Sequence, residues 1–308
     1  MASPQAHTYP AVGGGTIGIR EGLTDIVADL FADDVPLLAS SRKVPTSSTR
    51  VEWQADSLVS ASKAVVIEGA ALSYTQPVKR TRHSNYTHIR LRNWDVTFTT
   101  LATSIAGIRD EVARQVMKAM RTLATDYEKI FQDTGQTAAG ATGTGRRAAG
   151  LSKVITTNVV STAGVSTFLQ EGDVSSVLQK IWNQGGNPRV LYCGGQSKRQ
   201  ISDTFSARTG FSFNINQTAR TMISNINRYE GSFGTVDVVP DRFIRPEKIH
   251  IVTPELIRIA VLRDIAQYKG APTASSVKGW VEAEMTLIWG NQKGHGKISG
   301  VKTSGTVS

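Results

Sequence analysis

Polar and apolar positions change period several times along the chain, and each change predicts a different element. Residues 1–20 show no period and read as an extended arm around Gly13-Gly14-Gly15. Leu23, Ile26, Val27, Leu30 and Phe31 then fall at helical spacing, and Pro36, after Asp33-Asp34, marks the stop. Residues 37–50 are rich in Ser and Thr and predict an exposed connector. From Arg50 to Thr100 the pattern becomes strands broken by polar turns: Val51–Trp53, Ala64–Glu68, Thr87–Leu91 and Val96–Leu101. About fifty residues this poor in apolar positions cannot bury a core of their own, so the stretch predicts a long, two-sided, hairpin-like projection that docks on something else.

The clearest helix follows, from Ser104 to about Gln132, with Ile105, Ile108, Val112, Val116, Met120, Leu123, Tyr127 and Ile130 along one stripe. At 1.5 Å per residue it spans roughly 40 Å and reads as a structural spine. Met117, Met120 and Phe131 fit core packing at this spacing, not a cofactor pocket. Gly135 and the Ala-, Gly- and Thr-rich run Thr137–Gly150 predict a mobile loop carrying Arg146-Arg147. Asp173 then caps a helix over Val174–Asn183, Gly185-Gly186 closes it, and Pro188 leads into a strand at Arg189–Cys193. A short helix at Gln196–Phe205 is followed by strands at Ser224–Tyr229, Thr235–Val239, Ile249–Val252 and Leu256–Leu262. Val281, Ala283, Met285, Leu287 and Trp289 alternate with polar residues, which predicts a long strand with one buried face. Gly296–Ser308 reads as a loosely held tail, and the whole as an α+β protein.

Composition narrows the class. A chain of 308 residues, 40% hydrophobic and 19% charged, folds as one large or two ordinary domains. It holds no apolar run long enough for a membrane-spanning helix and no secretory-signal pattern at its start, so a soluble intracellular protein that binds no membrane is expected. Cys193 stands alone, which excludes internal disulfides and leaves stability to packing or assembly. The net charge of +10 and pI near 9.8 favour a polyanionic neighbour. The cations cluster: Lys79, Arg80, Arg82, Arg90 and Arg92 in one run, and Arg189, Lys198, Arg199, Arg208, Arg220 and Arg228 in another. Either run alone fits a solvated face; together they suggest surfaces that meet phosphates or acidic neighbours.

Catalytic chemistry finds no foothold. Gly13-x-Gly15-x-x-Gly18 has no preceding strand, and Gly140–Gly150 lacks the Lys-Ser/Thr of a phosphate loop. His83 and His88 have no cysteine or carboxylate pattern to complete a metal site and read as surface histidines. Glu282 and Glu284 share one strand face and read as solvent-facing. No catalytic, cofactor-binding or metal-binding residue is predicted, and the protein is not expected to be an enzyme.

The strings Asp33-Asp34-Val35-Pro36-Leu37-Leu38, Glu52-Trp53-Gln54-Ala55-Asp56-Ser57-Leu58, Ile67-Glu68-Gly69, Asn85-Tyr86-Thr87, Arg147-Ala148-Ala149-Gly150-Leu151 and Asp237-Val238-Val239-Pro240-Asp241-Arg242-Phe243 occur in this order. In that order they resemble the major capsid proteins of tailed phages in the SU10-like group with the HK97 fold. The resemblance spans roughly residues 20–295 and implies an N-terminal arm (1–44), an extended β-hairpin loop (45–100), a peripheral domain with the spine helix (101–165 and 265–308) and an axial domain (166–264). It places Glu52, Trp53, Asp56, Leu58, Asn85 and Tyr86 in inter-subunit contacts. Trp53 would anchor the interface while Glu52 and Asp56 pair with cations across it; the alternative is that they hold the projection's own two strands together. Lys79, Arg80, Arg82, Arg90 and Arg92 would face an acidic neighbour or DNA.

The resemblance implies a virion capsid subunit, assembled in the host cytoplasm into pentamers and hexamers around a double-stranded DNA genome. The expected partners are further copies, a portal, a separate scaffolding protein, packaged DNA bound without sequence preference and, in some shells, a cement or decoration protein. Lys63, Lys79 and Asn291 show no motif that would fix an isopeptide cross-link. The alternatives are a basic nucleic-acid-binding protein acting alone and a cargo-storing shell of the same fold.

Overall fold

The computed structural model describes residues 34–59, 61–71, 79–103, 108–162, 168–208, 227–271 and 274–303; the expected helix over Leu23–Phe31 and most of the arm lie outside these. The first half of the chain runs α1 (Pro36–Ser40), β1 (Arg42–Pro45), β2 (Arg50–Ala55), β3 (Thr81–Tyr86), β4 (His88–Thr97), α2 (Phe98–Ala102), α3 (Glu111–Asp133) and α4 (Leu151–Val154). The second half runs β5 (Val159–Ser161), α5 (Glu171–Asn183), β6 (Val190–Cys193), α6 (Gly195–Arg208), β7 (Arg228–Gly231), β8 (Gly234–Pro240), β9 (Lys248–Val252), β10 (Arg258–Lys269), β11 (Ser276–Ile288) and β12 (Gly296–Ser299).

The spine is α3. It begins at Glu111 and not at Ser104, because Asp110 takes the N-cap: its carboxylate accepts from the Ala113 N–H at 3.0 Å. Val116, Leu123 and Tyr127 of the expected stripe are buried, joined by Ala119 and Phe131, while Val112, Met120 and Ile130 are partly buried; Met117, expected to pack in the core, is exposed. That stripe packs on a four-stranded sheet of order β1-β10-β11-β4, antiparallel except for the parallel pair β1 and β10. Val281, Ala283, Met285 and Leu287 of β11 are fully buried, so the long strand keeps its predicted face. Gly279 is needed there: a Cβ would stand 2.4 Å from the Trp94 ring, which lies over the strand. Removing a fully buried side chain such as Leu123 would cost about 2–5 kcal/mol.

A second core forms on a six-stranded sheet, β5-β12-β9-β6-β8-β7. Val174, Val177, Leu178 and Ile181 of α5 cover Leu191, Ile249, Ile251 and Ile298. The helix starts one turn early, with Gln170 and Asp173 exchanging side-chain and backbone bonds as a capping box.

Several expectations are corrected. The connector over 37–50 contains α1 and β1, because Val44 and its neighbours pair with β10. Ala64–Glu68 forms no strand; those residues are exposed. His88–Thr97 belongs to the four-stranded sheet and not to a projection, with Trp94 and Val96 buried against the spine. The residues after Thr97 turn into α2, capped by the Thr97 hydroxyl. Gly296–Ser299 is a strand held between β5 and β9, with Ile298 and Val301 fully buried, so this part of the tail is core. These pairings join residues far apart in sequence, which local pattern does not reveal.

Candidate assembly surface

The described projection is the hairpin β2–β3 and the segment between its strands. Antiparallel register sets Glu52 opposite Ser84, Trp53 opposite His83 and Gln54 opposite Arg82. Glu52 pairs with Arg50 at 2.9 Å and Arg82 at 3.3 Å, and Asp56 with Arg80 at 3.4 Å. Such exposed pairs contribute about 0–1 kcal/mol each; they fix register more than they stabilise.

Trp53 is tied to its own chain. Its Nε1 donates to the Gly290 carbonyl at 2.7 Å, and its ring meets Trp289 edge-on with centroids 4.5 Å apart. Gly290, at φ +59, makes the turn that presents this carbonyl. The base of the hairpin is therefore seated on the end of β11, a role closer to the local alternative than to an interface anchor.

Asn85 is fully buried: its amide donates to the Leu287 carbonyl at 2.8 Å and the Ala149 carbonyl at 3.3 Å, and its oxygen accepts from the Ala149 N–H at 2.9 Å. This corrects its expected inter-subunit role, since every polar atom is used within the chain. Tyr86 is half-buried, its N–H donates to Thr137, and Arg50 lies 5.8 Å from its ring.

Thr87 leads to a hub that sequence reading missed. Its hydroxyl donates to Glu284 at 2.6 Å, and Glu284 also takes Arg146 at 2.5 Å and Arg263 at 3.0 Å. Glu284 is buried, not solvent-facing. Burial pushes its carboxyl up, but the bonds from Thr87, Arg146 and Arg263 outweigh this and hold it below the ordinary carboxylate range. The run over Thr137–Gly150, expected to be mobile, is folded back on itself by Ala138–Arg147 and Ala141–Thr144 bridges, with Gly140 and Gly143 at positive φ. No local signal reveals this partnership, because Arg146 and Glu284 are distant in sequence.

The basic run divides at the same place. Arg90 and Arg92 both reach Asp126 of α3, at 2.8 and 2.6 Å, so their acidic neighbour lies in the same chain. Burial raises the Asp126 carboxyl, and the hydrogen bonds from Arg92 and Arg90 more than reverse it. Lys79, Arg80 and Arg82 remain exposed on the hairpin. In the second run Arg189 pairs with Glu255, Arg199 with Asp203 and Arg228 with Asp237; Arg220 lies outside the described residues.

Beyond Ala55 the hairpin opens into an apolar tip. Leu58 is 98% exposed, and Val59, Val65, Val66 and Ile67 are all above 70%. Ala70 N–H donates to the Ile67 carbonyl, and Gly69 at φ +79 completes this turn. Nothing described in the chain covers these side chains. The expected contact Leu58 belongs here; the Val65–Ile67 run was legible only as a strand.

Among the described residues no group of His, Cys, Asp and Glu could hold a metal ion. Among the described residues no helix is long and apolar enough to cross a membrane. Burial pushes the Cys193 thiol up to about 12, so it is not a reactive thiolate. Buried His295 receives the Thr253 N–H, and its other ring nitrogen lies 2.8 Å from the Trp289 carbonyl; it is structural, pushed down to about 4 by burial.

Comparison with known proteins decides the family: the model of the SU10 major capsid protein family matches residues 8–302. The chain belongs to that family. None of the curated proteins compared with this capsid protein matches its sequence. Its structure is similar to the capsid of Cyanophage A-1(L), with TM-score 0.67, 14% identity, and 93% of this chain and 98% of that chain covered. It is similar to a structure from Mycobacterium phage Bobi (TM-score 0.65, 10% identity, 91% and 95% covered). It is also similar to the SrpI encapsulin of Synechococcus elongatus PCC 7942 (TM-score 0.61, 10% identity, 94% and 95% covered). At such identities these likenesses establish the fold, which is of the HK97 type. The capsid protein is thus a structural component of a tailed-phage virion shell, built from copies of itself.

Proposed function

We propose that copies of this capsid protein join as pentamers and hexamers of an icosahedral shell around double-stranded DNA, each hairpin tip lying on a neighbouring copy. The observation that carries this reading is the tip: Leu58, Val59, Val65, Val66 and Ile67 exposed together at the end of a hairpin whose base is fastened down. Covering one such side chain gains about 1.5–3 kcal/mol, so covering all of them offers on the order of 10 kcal/mol toward each contact, before the cost of ordering the tip. Lys79, beside the tip, meets an acidic group of the neighbour, while Arg80 and Arg82 stay paired with Asp56 and Glu52 of their own hairpin.

In this reading β2–β3 and the tip form the extended loop. The sheet on α3, with β4 included, forms the peripheral domain, and the α5 sheet supplies the axial domain. Assembly takes place in the host cytoplasm with a separate scaffolding protein and a portal. DNA is held without base readout by the excess of cations, and the shell catalyses nothing. Similarity to the encapsulin fold supports a cargo-storing shell less well, because the family match is to phage capsid proteins.

The test is negative-stain electron microscopy with sedimentation on the chain expressed with its scaffold. Rings or closed shells are expected from the wild type, and folded, unassembled protein from V65S/V66S/I67S. Normal particles from the triple variant would overturn the role given to the tip. A wild-type chain that stays monomeric with scaffold and binds DNA in a salt-dependent way would favour the lone nucleic-acid-binding reading.

A further inference from the structure

Where the two cores meet, the chain buries a pair of carboxyl groups beneath its first described segment. Glu128 of α3 and Asp241, just after β8, are 0% and 1% exposed. Glu128 Oε1 accepts from the Leu37 N–H at 2.9 Å and Oε2 from the Leu38 N–H at 2.8 Å, so both oxygens grip the first turn of α1. Leu37 and Leu38 are themselves buried against the spine core. Ser40, at the end of α1, lies 3.0 Å from the Tyr192 hydroxyl of β6, and Arg242 pairs with Asp34 just ahead of the helix. Residues 34–40 are therefore a strap, tied to the spine, to β6 and to the segment after β8.

We propose that Glu128 is a proton-controlled latch on this strap, shut while its buried carboxyl, set beside Asp241, is protonated and loosened when it ionises. Two carboxyl groups side by side in a buried space repel when charged, and among the described residues neither forms an ion pair with a cation. Asp241 Oδ1 accepts from the Phe243 N–H and its Oδ2 from the Gln132 amide, which in turn faces His250 of β9. Gln132 passes no charge to the pair, and His250, pushed down to about 3 by burial, stays neutral. Tyr192, raised by burial, also stays neutral. Asp133, Arg245 and Lys248 neutralise one another farther along α3, and Arg242 is engaged with Asp34. Burial, set against the two N–H bonds and joined by Asp241, pushes Glu128 up to about 8.

The sign follows from where the proton is bound. With the strap docked, Glu128 keeps its proton to about pH 8; with the strap lifted it is solvated and returns toward its ordinary value of 4.5. Docking is therefore strongest in acid and weakens as pH rises, by up to about tenfold per pH unit between about 5 and 8, and levels off above that. The loss is local, because neither core depends on the strap alone.

Hydrogen exchange of the Leu37 and Leu38 amides on the full-length, unassembled chain, corrected for the intrinsic rate at each pH, tests this independently of assembly. Protection is expected to fall across pH 5–8 in the wild type. E128Q cannot titrate, but its amide nitrogen cannot accept one of the two N–H groups, so protection should be lower than in the acidic wild type and nearly flat with pH. D241N leaves burial, the larger cause, in place and removes only the neighbouring carboxyl, so the fall should remain but be smaller and level off at lower pH than in the wild type. A flat wild-type profile would overturn the latch, as would a fall in E128Q parallel to that of the wild type.

Discussion

The hairpin tip and strand β4 come from one polar stretch of sequence, yet they end in opposite environments. β4 carries Arg90, Arg92 and Asp95 and still forms the edge of a core sheet, because Asp126 neutralises both arginines and Trp94 and Val96 pack beneath them. The tip carries Leu58, Val65, Val66 and Ile67, and all of them face outward. A charged strand can thus be structural, and an apolar run can be surface. What separates the two is whether the described residues supply a partner, and of the two they do so for β4. The tip's unmet need is what a neighbouring copy would satisfy.

If this division is right, substitutions on the buried side should damage the single chain and those on the tip should not. The largest effect is expected at the hub: E284A leaves partly buried Arg146 without its carboxylate and the Thr87 hydroxyl without its acceptor, while Arg263, nearly half exposed, keeps Glu282, so it should cost about 3 kcal/mol in denaturant unfolding. Asn85→Ala strands the Ala149 N–H and the Leu287 carbonyl and should cost about 2–4 kcal/mol by the same measurement. A loss below 1 kcal/mol at either position would mean that the hairpin base is not fastened as described. Trp53→Ala removes the contact with Trp289 and should cost about 2 kcal/mol, with assembly impaired only because the hairpin swings free.

Acid should sharpen the comparison. Asp126, Asp133 and Glu284 all have carboxyl groups held low by their cations. Their contribution is complete above the ordinary carboxylate range and is lost as pH falls through the depressed values, so wild-type stability should decline below about pH 4. D126N should show a shallower decline in an acid titration followed by circular dichroism. The smallest effect on the chain belongs to V65S/V66S/I67S: within about 0.5 kcal/mol in unfolding, with particle formation abolished. A large stability loss there would show that the tip folds against its own chain.

Much of the framework was legible from local pattern. The buried face of β11, much of the stripe of α3 and the face of α5 all rest on periods of 2 and 3.6, which a sequence carries in itself. The ordered strings around Glu52-Trp53 and Asp237–Phe243 were enough to indicate the family. The candidate contacts were less legible. Leu58 stands where an interface residue would, whereas Asn85 is interior, and nothing in the string Asn85-Tyr86-Thr87 tells the two situations apart.

Tertiary structure alone decided the rest. β1 and β12 became strands because β10 and β9 offered them edges, Glu284 became a buried hub because Arg146 and Arg263 reach it, and β4 left the projection because Asp126 and β11 accept it. A polar residue looks the same in sequence whether water or a distant partner satisfies it. The energy that chooses between the two comes from groups brought together across the chain, and that information exists only once the chain has folded.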